Sequence, residues 1–292
     1  MKSILSLSLL VVVFAQGVGQ TTTGVLSQSN KGKLYFYWGW NWSGYTNSNI
    51  HFKGDNYDFT LKKVVAKDRP SKFSFETYFH PKKLTMPQYN FRVGYYFKDD
   101  WDISFGIDHM KYVIKQNQTT TIDGYIANTN SAYDNTYNNQ SILIDEKFLM
   151  FEHSDGLNYV NFELRHTDEF LSFKNISISL KEGIGVGFLY PRTNTTLLGK
   201  ERYDEFHLSG YGISGVLGIN ITFYDKFFFQ TEYKGGFIDM PSVRTTLSKA
   251  DTASHNFFFS QFNILFGGVI RLKSSKKISA VSKLLFNTMT AY

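Results

Sequence analysis

The chain contains no cysteine, which excludes disulfides, thiolate metal sites and cysteine nucleophiles. Charge is scarce: Asp, Glu, Lys and Arg make up 19% of 292 residues, with a net charge of +6. No basic stripe interleaved with stacking aromatics accompanies that small excess, so no nucleic-acid partner is expected. The seven histidines are scattered without metal-ligand spacing, and neither a metal nor a cofactor is expected. Beyond the first residues there is no apolar run long enough to cross a bilayer as a helix. If such a chain spans a membrane it must do so as a closed barrel, because only helices and barrels satisfy every backbone polar group in hydrocarbon.

What the chain does have is aromatic residues, 17% of the total, arranged on a two-residue beat. Between residues 207 and 223 the odd positions carry Tyr211, Ile213, Leu217, Ile219, Ile221 and Phe223, and the even ones Gly210, Gly212, Ser214, Gly218, Asn220 and Thr222, with one break at Gly215-Val216. Successive strand side chains point to opposite faces, so one face is apolar and the other small and polar. Tyr89, Phe91, Val93, Tyr95 and Phe97 likewise oppose Asn90, Arg92, Gly94 and Tyr96. Leu34, Phe36, Trp38, Trp40 and Trp42 form a dense outward row suited to a lipid-facing surface. Alternation averages out in the mean hydropathy, which is −0.26.

These patterns predict an all-β fold: an antiparallel transmembrane β-barrel of the bacterial outer membrane. Lys2 followed by the apolar residues 4–14 reads as a cleaved signal peptide, residues 1–15. Residues 16–32 read as a flexible lead-in, 33–272 as the barrel, and 273–292 as a periplasmic tail, either disordered or a short amphipathic helix. Residues 116–141 lack strand periodicity and read as a long loop. Short turns after Phe97 and Phe223 alternate with long loops after Lys115, Tyr190 and Met240, which puts the short turns in the periplasm. The count is about ten strands, within eight to twelve; it falls to eight if residues 50–88 form one elaborated outer loop. A soluble β-sandwich is the competing architecture, since alternation also describes half-buried sheets.

On the inward parity lie Arg92, Asp102, Asp108, Glu163, Arg165, Glu232, Lys234 and Arg271, whose mixed signs can pair and fill a narrow lumen. Gly183, Gly185 and Gly187 keep the strand period, which clears inward space and does not match a dinucleotide loop. The candidate for catalysis is His207 with Ser209, two residues apart on the lipid-facing parity, where a histidine could act as base to a serine. This element resembles the His-x-Ser of the outer-membrane lipid A deacylases, whose active site also faces the bilayer. Their asparagine after the serine is Gly210 here, and Asp239 on the neighbouring strand is the substitute acid.

Segments such as Pro87-Gln88-Tyr89-Asn90-Phe91-Arg92 and Phe105-Gly106-Ile107-Asp108-His109 resemble uncharacterised outer-membrane barrels of the Bacteroidetes, over residues 33–272. That resemblance implies a fold and a location but no activity. Three functions follow: a barrel with a packed or narrow polar lumen serving envelope structure or surface interaction, a lipid-modifying hydrolase, or a small-solute channel. The expected partners are outer-membrane lipid and the barrel-assembly machinery. Lipopolysaccharide is added because Lys62, Lys63, Lys67, Arg69, Lys72, Lys82 and Lys83 make the region before Tyr89 basic.

Overall fold

The computed structural model describes residues 29–80, 82, 87–200 and 205–272. The signal peptide, most of the lead-in and the tail expected from the sequence lie outside them. β1 (Lys33–Tyr45) leads into β2 (Ser48–Gly54), β3 (Tyr57–Val64), β4 (Ala66–Lys67) and a short helix, α1 (Phe75–Phe79). β5 (Tyr89–Tyr96) and β6 (Trp101–Asp108) form a tight hairpin, followed by β7 (Tyr112–Ile114), β8 (Gln118–Ile126), β9 (Asn135–Ile144) and β10 (Leu149–His153). β11 (Tyr159–Phe173) and β12 (Ile176–Leu189) make a second hairpin. β13 (Asn194–Leu197), β14 (Gly210–Phe223), β15 (Phe227–Arg244) and β16 (Thr252–Arg271) complete the chain.

Eight strands close into a ring in the order β1-β5-β6-β11-β12-β14-β15-β16, and β16 returns to β1 from Lys33↔Arg271 to Tyr45↔Phe259. Closure removes the sheet edges and rules out the sandwich. Apolar side chains point outward, among them Phe105, Phe162, Val186, Ile213 and Ile184, the last 69% exposed. Charged and amide side chains point inward and are buried. This inversion of a soluble protein defines a transmembrane β-barrel, placing the chain in the bacterial outer membrane. The tight turns share one end with Lys33 and Arg271, the periplasmic end; the long connections share the other.

The ring holds eight strands, the lower end of the expected range, because β2 and β3 pair above the barrel and the described residues of 71–88 contain α1 and no strand before β5. α1 lies against the outer wall, where Tyr78 and Phe79 pack on the Trp40 ring with centroids 5.5 and 5.2 Å away. Trp40, expected to face lipid, is therefore covered, whereas Trp42 is exposed.

Among the described residues, much of the long outer connections is strand, above all in the one after Lys115. The upper end of β16 pairs with β2, extending the sheet through β3, β8 and β9, while β4, β7, β10 and β13 form a second small sheet. Phe52, Phe59, Ile122, Phe148, Phe151 and Leu197 join the barrel's upper residues Tyr159, Ile238, Met240 and Phe257 in one apolar core. This cap sits on the outer mouth. Residues 118–126 and 135–141, expected to be aperiodic loop, belong to its β8–β9 hairpin. A register shift between Ile122 and Gly124, with Gly124 at φ +123°, breaks the alternation that would have revealed the strand.

Candidate functional site

An eight-stranded barrel is just wide enough for side chains to fill its interior. Here they are ionic. Glu163 is central: Oε1 lies 2.9 Å from Arg92 Nη2 and 2.7 Å from Lys234 Nζ, and Oε2 accepts from Arg165 Nε at 2.6 Å. Arg165 also pairs with Glu232, and Lys234 reaches Asp108 at 2.6 Å. Below them Lys181 lies 3.3 Å from Asp102, which accepts from Tyr35 OH at 2.6 Å. Tyr37 OH accepts from both Arg92 Nε and Arg165 Nη2, holding the two guanidinium groups side by side. Four cations face four carboxylates, all nearly free of solvent contact. Buried charges of this kind persist only when paired and hydrogen-bonded.

Cross-strand partners make room for this packing. Arg165 and Asn161 stand directly opposite Gly183 and Gly187. A Cβ at Gly183 would lie 2.8 Å from Arg165 Cγ, and one at Gly187 2.6 Å from Asn161 Cβ. Beneath the Arg165–Glu232 layer a cavity of about 390 Å³ opens toward the periplasm, lined by Lys33, Tyr35, Tyr96, Lys181, Asn220 and Gln230 among others. Above the ionic layer the path runs into the apolar core of the cap.

Seven of the eight residues assigned to the lumen from the sequence line it, six of them in the Glu163 group and Asp102 in the cluster with Lys181 below. Arg271 does not: it is exposed at the foot of β16, where its guanidinium donates to the backbone carbonyl of Ser29. Its parity is inward, but the strand has passed below the lumen by that point. Lys181 also lines the lumen and was missed, although it shares the inward parity of Gly183 and Gly185.

The catalytic candidates are not assembled. β14 begins at Gly210, so strand parity does not extend to Ser209, which is buried rather than lipid-facing, while Leu208 is 65% exposed. His207 Nε2 accepts the Arg244 backbone N–H at 3.0 Å, and Nδ1 lies 3.3 Å from the Glu205 carbonyl oxygen. Ser209 Oγ points at the backbone carbonyl of His207, 3.5 Å away, not at its ring. Burial lowers the His207 pKa, with the nearby Arg244 charge adding and the Glu205 carbonyl opposing. Asp239 sits on the outward side of β15, directly across from Tyr211.

No protein-family model matches the chain, and no curated protein matches it. Solved structures do. The outer membrane protein OprG from Pseudomonas aeruginosa aligns over 84% of this chain and 98% of its own, at 10% identity and a TM-score of 0.40. Ail, the attachment invasion locus protein of Yersinia pestis, aligns over 82% and 99%, at 11% identity and a TM-score of 0.30. The outer membrane protease OmpT from Escherichia coli aligns over 84% and 100%, at 7% identity and a TM-score of 0.25.

Proposed function

We propose that this protein is a sealed outer-membrane pedestal: a non-conducting barrel that carries a folded cap at the cell surface for envelope structure or surface interaction. The observation that carries this reading is the lumen itself. Glu163, with Arg92, Arg165 and Lys234 against it, bridges the interior, and the cap's apolar core closes the outer mouth. A hydrated solute would have to break several buried ion pairs and then cross a dry core, each step opposed by the cost of leaving charge unpaired.

The hydrolase reading lacks this support, because His207 and Ser209 are turned apart. Lipopolysaccharide is the proposed partner at the outer leaflet, where exposed Lys72 and Lys82 flank the exposed rings Phe73, Phe75 and Phe79. Delivery by the barrel-assembly machinery, and kinship with the uncharacterised Bacteroidetes barrels, belong to the same proposal.

The test is single-channel recording of the purified protein in a planar bilayer. A silent bilayer is expected at an applied potential of about 100 mV of either sign. Discrete, reproducible openings would overturn the pedestal reading in favour of a solute channel.

A further inference from the structure

The lipid-facing wall is not evenly filled. Gly215 on β14 and Gly235 on β15 stand directly opposite each other, on the outward parity of Ile213, Leu217, Tyr233 and Phe237. A Cβ would come no nearer than 3.9 Å to a neighbour at Gly215 and 3.8 Å at Gly235. The inward glycines have no such room, so nothing within the protein requires these two to be small. Strand glycines mark a bulge, a tight bend or a place where a ligand or another backbone approaches closely, and the register runs unbroken through both of these, so no bulge accounts for them. They leave an apolar groove of about 650 Å³ bordered by Phe162, Val186, Ile213, Phe237 and Phe258. A second hollow, of about 570 Å³, shares Leu164, Ile184, Gly215 and Gly235 with it and runs down to Trp101, His166 and Glu182.

The lower end of this groove is built differently from the rest of the wall. His166 lies directly across from Glu182 on one side and Trp101 on the other. Its Nδ1 is 3.3 Å from Asp168 Oδ2 and 3.6 Å from Glu182 Oε1, and its Nε2 is 3.3 Å from Asp100 Oδ2. The Trp101 ring packs against the imidazole with centroids 4.8 Å apart. Trp101 directly follows the tight turn at residues 97–100, so the cluster lies beside that turn, with the exposed apolar side chains of Phe170, Phe173 and Ile176 continuing beyond it along β11 and β12. Among the described residues, no lysine or arginine lies within salt-bridge distance of these three carboxylates. Three carboxylates around one imidazole leave net negative charge in either protonation state of the ring.

We infer that this groove holds one phospholipid of the periplasmic leaflet, with an acyl chain over Gly215 and Gly235 and a primary-amine headgroup at Asp100, Asp168 and Glu182. The groove is continuous with the lipid-facing belt, so hydrocarbon is what it meets in the membrane. The charge at its foot selects the head: an ammonium offers three N–H donors to acceptor-only carboxylates, whereas a purely anionic head meets repulsion. A second copy of the chain seated here would have to cover the same unneutralised carboxylates.

The experiment is native mass spectrometry of the purified, delipidated protein titrated with phosphatidylethanolamine or with phosphatidylglycerol of matched chains, with and without EDTA. The native protein should retain one phosphatidylethanolamine about tenfold more tightly than phosphatidylglycerol, with or without EDTA. The Asp168→Asn, Glu182→Gln double variant should lose that preference while still taking up lipid. The Gly215→Leu, Gly235→Leu double variant should lose retention of both lipids while keeping its heat-modifiable gel mobility. If that variant fails to assemble, the headgroup variant still decides, since it leaves the apolar stretch over Gly215 and Gly235 untouched. Equal retention of the two lipids by the native protein would overturn the inference, as would undiminished retention after the groove is filled. So would a preference abolished by EDTA, which would assign the carboxylates to a divalent cation, or a dimer taking the lipid's place.

Discussion

Glu163 on β11 and Gly185 on β12 face each other across one rung of the ladder, and a Cβ on Gly185 would lie 2.8 Å from Glu163 Cγ. The same Cβ would lie 2.7 Å from Ser214 Oγ on the next strand. The central carboxylate of the lumen thus occupies space that a missing side chain provides. Replacing Gly185 by Val should destabilise the barrel by roughly 1–3 kcal/mol, the usual cost of overpacking a filled interior. The midpoint of urea unfolding, followed by heat-modifiable gel mobility, reads this out. An unchanged midpoint would show that the lumen has slack the geometry does not reveal.

Removing the carboxylate itself should cost more. Glu163→Ala leaves Arg92, Arg165 and Lys234 converging on an empty position, fully buried. Breaking a buried pair by deleting one partner costs about 3–5 kcal/mol, because the remaining charge stays desolvated. A change of less than about 1 kcal/mol in the same assay, as for an exposed pair, would mean that water enters the lumen freely.

These charges were legible in the sequence because a strand's period of two sorts them without knowledge of the pairing. Arg92, Asp108, Glu163 and Lys234 come from four different strands, yet parity alone sent each inward. Parity fails where strands end. Ser209 lies one residue before β14 begins and Arg271 lies past the lumen's foot, so both were misplaced. The cap was illegible for a related reason. Its strands carry register shifts, between Ser48 and Ile50 and between Ile122 and Gly124, and its core is contributed by many short segments. No single stretch shows a long enough apolar face.

Ser209 supplies a direct test of the lipid-modifying alternative. Its hydroxyl is buried and turned away from the His207 ring, whose Nε2 is already engaged by Arg244 N–H. Ser209→Ala should therefore leave the acylation pattern of extracted lipid A unchanged, as judged by mass spectrometry of membranes with and without the variant. Loss of an acyl-chain change that the native protein produces would restore Ser209 as a nucleophile and require the outer end of β14 to rearrange.

The cap should be sensitive to acid through His153. This residue of β10 is fully buried, its ring facing Phe151, Tyr112 and His255, with centroids 5.1, 5.8 and 5.9 Å away. Nδ1 pairs with Thr193 Oγ1 at 2.9 Å, while Nε2 has no hydrogen-bond partner among the described residues. Burial pushes its pKa well below the ordinary histidine value, and the neighbouring His255 and His207 push the same way. The folded cap therefore refuses a proton that the unfolded segment accepts near pH 6.5. Stability is full above that pH and falls as the pH drops through it, by up to about 1.4 kcal/mol per pH unit for one such group. Hydrogen exchange of β10 amides between pH 7.5 and 5, corrected for intrinsic rates, should show opening that becomes easier on the acid side. His153→Leu should remove much of that dependence while keeping the ring's apolar neighbours covered. Identical slopes for the two proteins would place the acid sensitivity elsewhere in the cap.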